Sequence, residues 1–107
     1  MTLEEVRARR SELYEIAARH GVDRLSVVVA GPDDEDELPH DLDAYVEVQF
    51  RPGLKEQKGA LWYGQACEDL REEMSELLGA RVGIGDVEGE SDPPEYGRWL
   101  RSRAVEL

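Results

Sequence analysis

The stretch DLDAYVEVQF, residues 41–50, decides how the rest of the chain is read. Ala44, Val46, Val48 and Phe50 fall on one side of an extended backbone, and Asp41, Asp43, Tyr45, Glu47 and Gln49 on the other. A period of two predicts a strand with one face in a core and an acidic, polar face opposite. Arg51, Pro52 and Gly53 end it, because proline offers no ladder amide and glycine frees the backbone.

Upstream, LSVVVA (25–30) is a β-branched run short enough for a buried strand, and GPDDEDELPHD between the two strands is too acidic and too rich in turn residues to be anything but an exposed loop. Before that, Thr2 and Glu5 have capping-box spacing. Leu3, Val6, Leu13, Ile16 and Ala17 then recur at helical intervals up to Gly21, which predicts a helix over 3–20. Downstream, Leu61, Ala66, Cys67, Leu70, Met74, Leu77 and Leu78 predict a helix over 60–78, stopped by Gly79, with these residues toward the core. Residues 81–87 read as a third strand through Val82, Ile84 and Val87, loosened by Gly83 and Gly85. Ser91 or Asp92 can cap a last helix begun at Pro93 and Pro94, with Tyr96, Trp99 and Leu100 as its buried side, and AVEL at the end reads as a docked tail or a frayed end.

The element order is α-β-β-α-β-α. Two adjacent strands followed by a right-handed helical crossover imply an α/β (α+β) fold with a three-stranded mixed sheet and helices packed on one face. The third strand is expected parallel to the second, and Asp41 and Asp43 point to the face that the helices leave open. At 107 residues the chain is expected to be a single domain, 1–107.

Charge narrows the partners. Thirteen Lys and Arg against 25 Asp and Glu leave a net charge of -12, which repels a phosphate backbone and attracts a basic protein. Direct nucleic-acid binding is therefore not expected. Cys67 is the only cysteine, so no internal disulfide or Cys-rich zinc site can form, and a reducing cytoplasm is the expected setting. The charged start MTLEEVRARR lacks a signal-peptide core, and no apolar run is long enough to enter a membrane. The oligomeric state is left open.

In order and spacing, the pieces ARHGVDRL, a strand running into Gly31, DLDAYVEV, FRPG, ELLGARV and RSRAVEL together resemble the minimal nucleotidyltransferases. These are relatives of the DNA polymerase beta superfamily, often paired with HEPN proteins in bacterial toxin–antitoxin operons. The resemblance implies a Gly-Ser after the first strand to hold nucleotide phosphates. It also implies two carboxylates at the start of the second strand and one on the third, binding the metal ions that neutralise charge during transfer. Asp41 and Asp43 match the pair, and Gly31 matches the glycine.

The other positions depart from the pattern. Pro32 stands where the serine belongs and offers neither a hydroxyl nor an amide donor. Asp33, Asp34, Glu35, Asp36 and Glu37 fill a loop that usually carries Arg and Gly. Each such charge about 6 Å from a triphosphate oxygen would cost on the order of 2–3 kcal/mol before screening. Gly83 aligns with the third carboxylate; Asp86 is near, but three residues on it faces the other side of the sheet unless a bulge intervenes.

These departures imply a nucleotidyltransferase-like protein with a degenerate nucleotide site, acting as an antitoxin-type or regulatory subunit for a basic, HEPN-like partner met through residues 33–37. No cofactor is expected, or magnesium if the chain is active. One alternative is an active enzyme moving AMP from ATP to a partner protein, with Asp41 and Asp43 holding magnesium and a shifted Asp86 or the partner supplying the missing carboxylate. Another is an unrelated small α+β interaction module. The plainer readings are a solvated acidic loop, two strand-opening aspartates facing water, His40 on a surface loop, His20 as a cation at a helix C-terminus, and Cys67 as a small buried hydrophobe without an activating histidine.

Overall fold

The computed structural model of the protein describes residues 1–29, 42–88, 98 and 101–107. Thr2 caps the first helix as its spacing predicts, its Oγ1 accepting the Glu5 amide at 3.2 Å, and α1 runs Leu3–Ala8. At Arg9 the backbone leaves the helical region (φ -106, ψ 16), and the guanidinium grips Glu12 at 2.7 and 2.8 Å. α2 (Arg10–Arg19) follows, so the helix expected over 3–20 is two helices sharing one buried stripe of Val6, Leu13, Ile16 and Ala17.

Gly21, at φ 76, turns α2 straight into β1 (Val22–Val29); a Cβ there would sit 2.1 Å from Leu54 Cδ2, in a conformation that favours glycine anyway. β1 starts before the apolar run because its pairing slips between Val22 and Arg24, and the slip hides the period of two. β2 (Ala44–Phe50) pairs antiparallel with it. A short helix that the apolar spacing does not announce, α3 (Leu54–Lys58), lies between Gly53 and Gly59, and α4 spans Ala60–Leu78. Gly79, at φ 61, ends α4 and releases β3 (Val82–Asp86), which runs parallel to β2 with Ala44 opposite Val82 and Val48 opposite Asp86.

Among the described residues the sheet has four strands, not three. Val105–Glu106 forms β4 antiparallel to β1, giving the order β3-β2-β1-β4. The tail is fixed further by the Leu107 amide on Leu25 O at 2.9 Å and by Arg10 Nε on Leu107 O at 2.7 Å. Two residues are too few to show any period, so this pairing could not be read from the sequence.

α2 packs on β1 and α4 on β3, both on the face that carries Ala44, Val46, Val48 and Phe50. Leu13, Leu25, Leu70 and Met74 are fully buried between the layers, and Trp62 and Tyr63 flank Phe50 with ring centroids 5.9 and 5.6 Å away. Ala66, Leu70 and Met74 form the buried stripe of α4. Leu61, expected to face the core, is instead 94% exposed. Five residues before Ala66 is about 140° around the helix, off the stripe. His20 closes α2 and places Nε2 2.6 Å from Glu73 Oε2. The last helix expected from Pro93, with Tyr96, Trp99 and Leu100, lies outside the described residues, although 98 and 101–103 are helical.

Because Leu70 is sealed between α4 and the sheet, Leu70→Ala should lower the unfolding free energy by about 2–5 kcal/mol. Urea denaturation followed by tryptophan fluorescence checks it, with the midpoint shifting and the slope unchanged.

Candidate functional site

Asp43 and Gly83, two of the positions the resemblance singles out, lie at the start of the parallel β2–β3 pair. Asp43 is exposed there, and its carboxylate is already engaged: Oδ2 accepts the Arg81 amide at 2.8 Å, while the Asp43 amide donates to Arg81 O at 2.8 Å. This reciprocal clasp ties the start of β2 to the start of β3. Asp41, Gly31, Pro32, His40 and the acids Asp33, Asp34, Glu35, Asp36 and Glu37 lie outside the described residues.

On β3 the alternation of the strand separates the candidates. Val82, which is buried, and Ile84, which packs on the core, face the helices, so Gly83 and Gly85 face the opposite side. Tyr45 lies across both glycines. A Cβ on Gly83 would come 2.5 Å from Leu42 Cδ1 and 3.1 Å from Tyr45 Cδ2, and one on Gly85 would come 1.7 Å from Tyr45 Oη. The volume in which a third-strand carboxylate would stand at position 83 is therefore held by Leu42 and the Tyr45 ring. Sequence reading assigned Tyr45 no role beyond its face; the available signal was an aromatic opposite a Gly-x-Gly strand.

Asp86 stands apart from Asp43. It shares the helix-facing parity of Val82, and it stands five residues along the paired strands from Asp43, about 16 Å at strand rise. Its side chain is only 3% exposed and is bound by Lys55 Nζ at 2.8 Å, Tyr63 Oη at 3.1 Å and the Glu88 amide at 2.9 Å. Burial alone would raise its pKa, but these hydrogen bonds together hold the carboxyl below the ordinary aspartate range. Its neighbours move away from neutrality too. Hydrogen bonds to Asp86 and Glu88 raise Lys55, and burial followed by the nearby Cys67 and Asp86 raises Tyr63. Burial likewise raises Cys67. A cluster so arranged fixes α3 and α4 to the end of β3.

On the open face Glu47 is 8% exposed, beside a small cleft that Arg24, Ser26, Gln49 and Glu106 also line. Burial raises its pKa against the pull of Arg101, which itself donates to Val87 O at 3.0 Å. The face expected to be free for chemistry is thus partly covered. Among the described residues no three His, Cys, Asp or Glu side chains gather closely enough to hold a metal ion; Asp41, one of the two expected strand-two ligands, is not among those residues. A larger groove of about 620 Å³ runs along the outer edge of β3, between Tyr45 and α4.

The fold has a solved counterpart. A structure described as "Structure of putative minimal nucleotidyltransferase" superposes with a TM-score of 0.60 at 30% sequence identity, over 100% of this chain and 97% of that one. The chain belongs to the minimal nucleotidyltransferases. No protein-family model and no curated protein matches it. This minimal nucleotidyltransferase has a parallel β2–β3 pair with Asp43 at its mouth, and the Leu42 and Tyr45 side chains lie against Gly83. No helix among its described residues is long and apolar enough to cross a membrane.

Two outcomes are expected. Gly85→Ala forces the Tyr45 ring off the sheet and should destabilise the domain by about 1–3 kcal/mol, with most of the loss absent in a Tyr45→Ala background, as a double-mutant cycle in urea reads. Asp86→Asn should cost about 1–3 kcal/mol at pH 7 by weakening the Lys55 and Tyr63 bonds. The folded pKa of Asp86 lies below its unfolded one. Its contribution is therefore whole above the unfolded value near about 3.9 and is lost as pH falls through the folded one. The two proteins' melting temperatures should accordingly converge in strong acid.

Proposed function

We propose that this minimal nucleotidyltransferase works by binding and not by transfer. The observation that carries the reading is the Tyr45 ring over Gly83 and Gly85, because a carboxylate introduced at position 83 requires the Leu42 side chain and the Tyr45 ring to move aside. Two further facts support it. Asp43 spends one carboxylate oxygen on the Arg81 amide, and Asp86 is committed to Lys55 and Tyr63 on the other side of the sheet. In the sequence, Pro32 removes two donors from the phosphate loop, and five consecutive acids follow it.

The partner we propose is a small basic protein, HEPN-like, held in an antitoxin-type or regulatory complex through Asp33, Asp34, Glu35, Asp36 and Glu37. A net charge of -12 steers such a partner and keeps free nucleotides and nucleic acid away.

Calorimetry with ATP and magnesium separates binding from transfer. The expected result is no saturable heat; a magnesium-dependent isotherm that disappears in Asp43→Asn overturns the reading and restores an enzyme. For the partner, purification from the host at low salt should recover a stoichiometric basic protein that dissociates as salt rises. The complex should be lost when residues 33–37 are changed to their amides. Recovery of the chain alone counts against the partner.

A further inference from the structure

We propose that the outer edge of β3 receives an extended peptide segment that alternates apolar and acidic side chains. The two edges of the sheet are unequal. The β4 edge is two residues long, too short to template another strand, whereas β3 offers Val-Gly-Ile-Gly-Asp with no lysine, proline or bulge to blunt it.

Hydrogen bonding fixes which backbone groups face outward. Arg81 O accepts from β2, and the Val87 amide donates to Val48 O, so odd-numbered residues pair inward and Val82 and Ile84 point away from the sheet. Ser75 Oγ takes the Val82 amide at 3.2 Å. The amide and carbonyl of Ile84 have no partner among the described residues. They are spaced to exchange hydrogen bonds with an added strand, which a compact small molecule could not do.

Beside this edge lies the groove of about 620 Å³, which the apolar Leu42, Tyr45, Val82 and Ile84 line together with Arg71, Ser75 and Arg81. Among the described residues no carboxylate lines it. Arg71 is held by Glu68, but the Arg81 guanidinium has no partner among the described residues, so it can pair with an incoming carboxylate in a forked geometry. Five strand residues span about 16 Å, enough for a short segment whose alternate side chains drop into the groove while the others meet Arg81. A second copy of this chain is the poorer occupant, since two bodies of charge -12 repel. The surface is independent of the acidic residues proposed above for a basic partner, and either can fail without the other.

The test uses the full chain and three short synthetic peptides: one alternating valine and glutamate, its valine–lysine counterpart, and the valine–glutamate peptide N-methylated on alternate amides. Fluorescence anisotropy should show saturable binding of the first alone, weakened by about tenfold or more in Arg81→Glu. The Arg81 backbone makes the clasp to Asp43, so that variant keeps its fold, as an unchanged melting temperature verifies. In the complex the Ile84 amide should exchange more slowly, while Gly83 and Gly85, already paired to β2, stay as they were. The idea is overturned by no binding of the valine–glutamate peptide, by equal binding of the lysine or N-methylated peptide, by affinity indifferent to Arg81→Glu, or by an Ile84 amide left unprotected. Sedimentation showing that the free chain dimerises through this edge, and that Arg81→Glu abolishes the dimer, also overturns it by naming a second copy as the occupant.

Discussion

The parallel pairing of β3 with β2, clasped at its mouth by Asp43 and Arg81, is the constraint on which the remaining geometry depends. A strand's side chains alternate strictly, so fixing Ala44 opposite Val82 fixes every later side chain on β3. Val82, Ile84 and Asp86 must meet the helices, and Gly83 and Gly85 must lie under Tyr45. A slip of one residue would put Asp86 on the open face and a glycine against α4, exchanging a paired buried carboxylate for a void. The same register makes Ile84 the residue whose backbone looks outward from the sheet.

Groups with catalytic potential are drawn into structure. Asp43 satisfies an amide at a strand start, and Asp86 accepts three hydrogen bonds beneath α3 and α4. Buried carboxylates are tolerated when paired, and removing one partner strands the other. The titration directions agree: Asp86 falls while Lys55, Tyr63 and Cys67 rise. Active sites more often bring pKa values toward the working pH; this cluster moves them apart, as a structural ion-pair network does.

Much of this was legible in the sequence because it was local. The alternation of residues 44–50 identified β2 and its buried face, helical spacing with Gly79 delimited α4, and the βαβ handedness rule anticipated the parallel third strand. The parity argument also placed Asp86 on the face away from Asp43. The break at Arg9, the slip near Arg24, the short α3 and the exposure of Leu61 were not legible. Each depends on a cap, a bulge or a rotation that leaves the apolar count unchanged.

The sequence by itself determined the succession β1, β2, α4 and β3, the core face of β2, the charge of -12 and the absence of donors at Pro32, since composition and short-range periodicity carry these directly. Only the tertiary structure decided that residues 105–106 join the sheet, that Asp86 belongs to Lys55 and Tyr63, and that Tyr45 lies over Gly83 and Gly85. Those contacts join residues far apart in the chain, or across two strands. Which neighbour a side chain meets there is set by register and packing, which no local pattern encodes.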